Sequence, residues 1–252
     1  MTQERFLKRK IIINDVTELQ PDYEPGTLVL TDSQAVVDEC TSKHIPVAAY
    51  EKEGAQPINC SQVLIDVDEI EDDDFENIYR RCAGIPWDIA YTERCFIREF
   101  GMADLDALFE LYSEPHMTDY MEPLFEYEEE KQYEENYIEY IYKLYGFGMW
   151  LIFDRFTGKL IGRAGLEVRE TCDRENQAEM GFAIASSRWK QGLAYEVCSK
   201  IMELARDEYG LTSLIARCDP ENLASRHLLE KLGFVIVGYE TDGDCRYFRE
   251  IL

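Results

Sequence analysis

The chain is poor in histidine and in positive charge, and each shortage closes off a class of chemistry. Only His44, His116 and His227 are available in 252 residues, so spacing alone assembles no zinc site. Lysine and arginine number 26 against 51 aspartate and glutamate, a formal net charge of -25 at pH 7. A field of that sign repels nucleic acid and anionic lipid, which excludes both as expected partners and loosely favours cationic ones. No apolar run approaches the roughly 20 residues that cross a bilayer. The eight cysteines form no C-x-x-C pair and no secretory leader follows Met1, so reduced thiols and a cytoplasmic location are expected. Missing too are G-K-[ST] and G-x-G-x-x-G, the motifs of nucleotide hydrolases and dinucleotide binders.

What is present divides into two stretches. In the first, Ile11 to Ile13 reads as an edge strand and Leu28 to Leu30 as a buried one. Thr31-Asp32-Ser33 caps a helix through Cys40, and Ile45 to Tyr50 and Val63 to Val67 are further strands. Strand, helix, strand, strand, helix spells a small parallel α/β module over residues 1–88. It resembles part of the core of haloacid-dehalogenase-like phosphatases, with Thr31 at the strand-end Thr position. No D-x-D-x-T segment precedes it, so no aspartyl-phosphate can form and the module is expected to be non-catalytic. The acidic runs Asp66 to Asp74 and Glu126 to Glu135 read as solvated faces.

Gly84 and Pro86 break the helix, and a second domain is expected over residues 89–252. Thr92 to Phe100 alternates as a strand should, and Met102 to Tyr112 is an amphipathic helix. Glu126 to Tyr145 carries Tyr133, Tyr137, Ile141 and Tyr145 at helical spacing with acids opposite, a stripe that fits helix packing. Met149 to Phe156 and Lys159 to Val168 form a hairpin about Thr157-Gly158. Gln177 to Ile184 is a strand, Ala194 to Tyr209 a helix, Thr212 to Cys218 a strand, and Asp219-Pro220 starts a helix with Asn222 in its first turn. A last pair of strands follows.

Between Ile184 and Ala194 lies RWKQGLA, Arg188 to Ala194, a turn feeding straight into a helix. Such a turn leaves backbone N–H groups unpaired at the positive end of the helix dipole, where a phosphate can sit, and Gly192 admits a ligand close to the main chain. WKQGLAYE, then PENLAS, then EKLGF, taken in that order, resemble the GNAT superfamily of acyl-CoA-dependent N-acetyltransferases. Within it they look most like the branch that acetylates ribosomal-protein N-termini, and the likeness runs from about Glu93 to Leu252.

The resemblance implies a mixed, mainly antiparallel central sheet with flanking helices, acetyl-CoA as co-substrate, no metal, and an amine acceptor. That acceptor is a protein N-terminus or a small amine, cationic molecules included, which attacks the thioester directly in a ternary complex. It implies that Arg188, Trp189, Lys190, Gln191, Gly192, Leu193 and Ala194 cradle the pyrophosphate, with Arg188 or Lys190 as loose point charges. Pantetheine is expected along Phe182, Ala183 and Ile184, where one N–H also meets the carbonyl oxygen. Glu179 is the candidate base, with Gly181 and Ala183 leaving room on its side of the strand. The family's usual acid, a tyrosine seven residues after the motif asparagine, is Leu229 here. Ser225 takes the acid's place, and Asn222 reaches pantetheine. Rings of the tyrosine stripe are implied to wall the acceptor cavity. Cys198 and Cys218 sit at apolar-periodic positions and are expected to be buried and inert. The competing expectation is a non-catalytic acyl-CoA-binding protein that keeps the fold.

Overall fold

The computed structural model describes residues 5–51, 56–65 and 67–251. The chain forms two compact units, Met1–Trp87 and Asp88–Leu252.

In the first unit, β1 (Arg9–Ile12), β2 (Thr27–Thr31), β3 (Val47–Tyr50) and β4 (Val63–Leu64) form a sheet in that order, every neighbouring pair parallel. Helix α1 (Gln34–Ser42) and helix α2 (Asp72–Cys82) complete it. All five residues of β2 are buried, as expected of a parallel strand covered on both faces. Val29 packs with Val36, Val37 and Cys40, while Leu28 and Leu30 pack with Phe75 and Tyr79. Ser33 takes the cap position of α1 without a side-chain cap bond, and Thr31 Oγ1 instead accepts the Ser33 N–H at 3.0 Å. The fourth strand is shorter than expected, and Asp66 lies outside the described residues.

The second unit is built on an eight-stranded sheet. It comprises β5 (Asp88–Tyr91), β6 (Cys95–Arg98), β7 (Met149–Asp154), β8 (Leu160–Glu167), β9 (Gln177–Ile184), β10 (Ser213–Cys218), β11 (Val235–Tyr239) and β12 (Cys245–Glu250). The spatial order is β11-β12-β10-β9-β8-β7-β6-β5, and only β9 and β10 run parallel. The mixed, mainly antiparallel sheet read from the sequence is therefore observed. Strand β5 falls in the stretch expected to be a boundary; its antiparallel pairing with β6, which follows at once in the chain, makes it a strand. Helices α3 (Leu105–Tyr112), α4 (Tyr127–Asn136), the short α5 (Lys143–Tyr145), α6 (Leu193–Asp207) and α7 (Leu223–Lys231) accompany the sheet. Strand β11 forms one rim, with Val235, Ile236, Val237 and Tyr239 exposed.

The single helix expected over Glu126 to Tyr145 is interrupted. Between α4 and α5, Tyr137–Tyr142 winds as a π-helical segment, and Gly146 at φ 72° ends α5. The wider turn shifts the helical phase, so Tyr137 and Tyr142 are buried while Tyr133, Tyr140 and Tyr145 stand exposed. The acids were expected to point to solvent, yet Glu130 and Glu134 are buried. Each has a reason to be inside: Glu130 accepts the Phe125 N–H at 2.9 Å, and Glu134 lies 2.8 Å from the buried Arg163 on β8. Burial pushes the Glu134 carboxyl up by more than Arg163 pulls it down.

Candidate functional site

Strand β9 leaves the sheet at Ile184 and passes through a short 3-10 turn, Ser186–Arg188. Lys190 then adopts φ 61° and Gly192, capping α6, φ 77°. Two left-handed residues so close together turn successive N–H groups to one side. Among the described residues, the N–H groups of Lys190, Gln191, Gly192, Leu193 and Ala194 make no hydrogen bond. The turn is braced from below. Glu114 accepts from the Ser187 N–H at 2.9 Å and the Ser187 and Ser186 hydroxyls, the Trp189 indole donates to Ile184 O at 2.7 Å, and Arg94 donates to Gln191 O at 2.8 Å. Trp189, Lys190, Gln191 and Gly192 are exposed, while Leu193 is buried and Ala194 half-buried.

Arg188 is not the loose charge the sequence suggested. Its guanidinium donates to Asp154 at 2.6 Å, and Asp154 also accepts the Phe156 and Thr157 N–H groups of the β7–β8 hairpin. The Arg188 bond is the main reason the Asp154 carboxyl is pulled down to about 2. Lys190 has no such partner among the described residues and remains the free cation of the loop.

Beside the turn the sheet opens. Strands β9 and β10 are in register at Gln177–Ser213, Ala178–Leu214 and Glu179–Ile215, and the register stops there. Gln177 and Ser213 bond side chain to side chain at 3.0 Å and close the fork below Glu179. Ala185 N–H bonds Ile161 O across β8, and alternation then turns the main-chain groups of Met180, Phe182 and Ile184 away from β8 toward the opening. Phe182 therefore turns its main-chain groups toward the opening, whereas Ala183 turns its own toward β8.

Glu179 stands at the fork's vertex, partly buried, and Thr171 Oγ1 donates to it at 2.9 Å. Directly across the strand pair is Glu167, which accepts the Tyr137 hydroxyl at 3.0 Å and is paired with Arg169. Arg217 shares this face. Burial opposes its charge, but Asp242 and Glu179, with Asp244, more than offset that cost. Arg246 donates to Thr171 O at 2.8 Å and to Glu240, holding the loop that carries Thr171. The room expected beside Gly181 is partly taken: a Cβ there would meet the Met149 sulfur at 3.3 Å. Next to Glu167 a hollow of about 360 Å³ is lined by Tyr133, Tyr137, Tyr140, Tyr145 and Phe147. A second hollow, about 370 Å³, lies among α6, α7 and β12 beside Tyr195, Lys231 and Arg249.

On α7 the geometry differs from expectation. Asn222 is the cap, not a first-turn residue: its Oδ1 accepts the Ser225 N–H at 3.0 Å, leaving Nδ2 as its uncommitted end. Asp219 instead accepts the Glu221 N–H at 2.7 Å, because Pro220 starts a turn one step before the helix. Burial pushes the Cys218 thiol up to about 11. Cys198 is fully buried and its thiol pushed far up by burial, and Leu229 is buried as well. Glu167, Thr171, Arg217 and Arg246 escaped sequence reading because their link to Glu179 runs through cross-strand register and loops. Only the Glu167–Glu179 pairing left a trace, as two in-phase carboxylates on adjacent strands.

Comparison with known proteins is consistent with this layout. Residues 94–235 match the profile described as acetyltransferase (GNAT) domain. An uncharacterized N-acetyltransferase, p20, of Bacillus licheniformis is 30% identical over 150 residues, spanning 57% of this chain and 80% of that one. Among solved structures, a putative ribosomal-protein-serine acetyltransferase of Vibrio cholerae superposes with TM-score 0.55 at 20% identity, over 65% of this chain and 97% of that one. The spermidine N-acetyltransferase of the same organism, in complex with CoA and spermine, gives 0.53 at 21% identity, over 62% and 95%. At such identities the structural likenesses speak for the fold.

Proposed function

The chain belongs to the GNAT acetyltransferase family and is an N-acetyltransferase, and from that premise we propose that it moves acetyl directly from acetyl-CoA to a primary amine bound beside it. The observation that carries the reading is the row of unpaired N–H groups at Lys190 to Ala194 opening beside the β9–β10 fork. Those amides fit a pyrophosphate at the start of a helix, helped by Lys190, while Arg188 holds the hairpin next to it. Acetyl-CoA supplies the thioester. The edge of Phe182 and Ile184 holds the extended arm as a neighbouring strand would, and the Phe182 N–H is oriented to donate to the carbonyl oxygen.

Glu179, kept in place by Thr171, takes the proton from the amine, directly or through one water. An α-amine, with a pKa near 8, asks less of it than a lysine side chain near 10.4. Ser225 donates toward the sulfur, and Asn222 Nδ2 toward the arm. The acceptor class, an amine, agrees with structurally similar proteins named for spermidine and for ribosomal-protein serine. The first unit is proposed as a non-catalytic module like a degenerate phosphatase core, and a cytoplasmic setting rests on cysteine usage.

Thiol release from acetyl-CoA, followed across a panel of amines, tests the proposal. Glu179→Gln is expected to lower kcat about 100-fold while the KM for acetyl-CoA stays within about twofold. No release with any amine overturns it.

A further inference from the structure

The hollow beside Glu167 carries a statement about the acceptor's shape as well as its place. It is bounded by Tyr133, Tyr137, Tyr140, Tyr145 and Phe147, and Glu167 is the only carboxylate among its lining residues. Glu167 sits at the strand position directly opposite Glu179, about 5.5 Å away between Cα atoms. The charge is thus concentrated at the end nearest the proposed base. The remaining wall is aromatic and apolar apart from the uncharged Asn136, and Arg169 at the same end already pairs with Glu167.

The wall is shaped by the π-helical segment. Its wide turn draws the Tyr137 and Tyr142 rings into the core, leaving Tyr140 projecting, 64% exposed, at the mouth of the hollow. Segments of this kind interrupt helices mostly where a site needs the altered phase. Tyr137 ties the wall to the floor: its hydroxyl accepts the Met149 N–H at 2.8 Å and donates to Glu167 Oε1 at 3.0 Å. Each carboxylate oxygen accepts two bonds, so Oε1 keeps one place for an ammonium.

We propose that the acceptor is an amphipathic monoamine, one ammonium joined by a short link to an aromatic or branched apolar body. The proposal rests on the acetyl-transfer reading above. The ammonium meets Glu167 and gives one proton to Glu179, leaving a neutral amine to attack the thioester, and the apolar body lies against the tyrosine faces. Rings add cation–π attraction near the charged end and apolar contact beyond it. A polyamine fits poorly, because its further ammonium groups meet no second carboxylate in the hollow and are repelled by Arg169.

The test compares 2-phenylethylamine, propylamine and spermidine as acceptors with the full chain and acetyl-CoA. The expected result is a kcat/KM for 2-phenylethylamine at least about tenfold above both others, the order of effect that burying one ring provides. Tyr140→Ala, at an exposed position, is expected to cut that value about fivefold and to narrow its lead over propylamine. Preference for spermidine, or equal rates with 2-phenylethylamine and propylamine, overturns the proposal while acetyl transfer stands. If no amine releases thiol, calorimetric titration of 2-phenylethylamine into CoA-saturated protein decides. Binding weakened by Tyr140→Ala keeps the pocket and removes only the transfer reading; no binding removes the pocket.

Discussion

Asp154 shows how one side chain can serve two structures at once. Its carboxylate closes the β7–β8 hairpin through Phe156 and Thr157 and anchors Arg188 beside the turn that opens α6. Its pKa in the folded chain is about 2, against about 3.9 unfolded. A depressed acid stabilises the fold fully above the unfolded value, and that contribution is lost as pH falls through the folded one. The urea midpoint of Asp154→Asn should therefore lie below that of the parent at pH 6, with the gap closing between about pH 4 and pH 2. A gap that is constant down to the lowest pH removes this role. Gly192 was legible in the sequence because the absence of a Cβ is itself the signal. The fate of Arg188 was not, since its partner lies 34 positions away in the chain and nothing local announces it. Asn222 was placed three positions too deep because Asp-Pro and Asn are both good caps, and only the turn geometry chooses between them.

At the scale of elements, the order of strands and helices from Thr92 onward followed from alternation and turn chemistry. The hairpin, the β9–turn–α6 connection and the last two strands stand where periodicity put them. The failure came in Tyr127 to Tyr145, where a helical wheel assumes one constant period and the π-helical segment breaks it. Buried acids also defeat a rule that sends charge outward, because Arg163, which pairs with Glu134, belongs to another element. A buried pair costs little when intact and a great deal when halved. Arg163→Met is expected to destabilise the chain by about 3–5 kcal/mol, and adding Glu134→Leu to restore most of the loss. Denaturant titrations of the parent, both single variants and the double variant measure the coupling. A double variant no better than Arg163→Met rules out the pair as the cause.

Taken whole, the chain carries a net charge of -25, and much of that charge lies on exposed faces such as Asp72 to Asp74 in the first turn of α2. Uniform charge strains any compact state by self-repulsion, and salt relieves it over a Debye length of about 10 Å at 0.1 M. Raising sodium chloride from about 20 mM to about 300 mM is therefore expected to raise Tm by about 2–4 °C, as scanning calorimetry would record. A Tm that falls instead argues that surface ion pairs outweigh the repulsion. The patterning within each stretch was readable, but the hollow beside Glu167 was not, because it needs Tyr133 and Tyr137 brought next to the end of β8.

The bare rim at β11 has a consequence for how this acidic chain survives in company. Val235, Ile236, Val237 and Tyr239 offer neither a lysine nor a proline to discourage a neighbour's backbone from docking alongside. Mutual repulsion between copies does that duty from a distance, so the abundance of acid works as a dispersant. Near the sequence pI of about 4.4 the dispersant vanishes, and one molecule's sheet is then free to extend into the next.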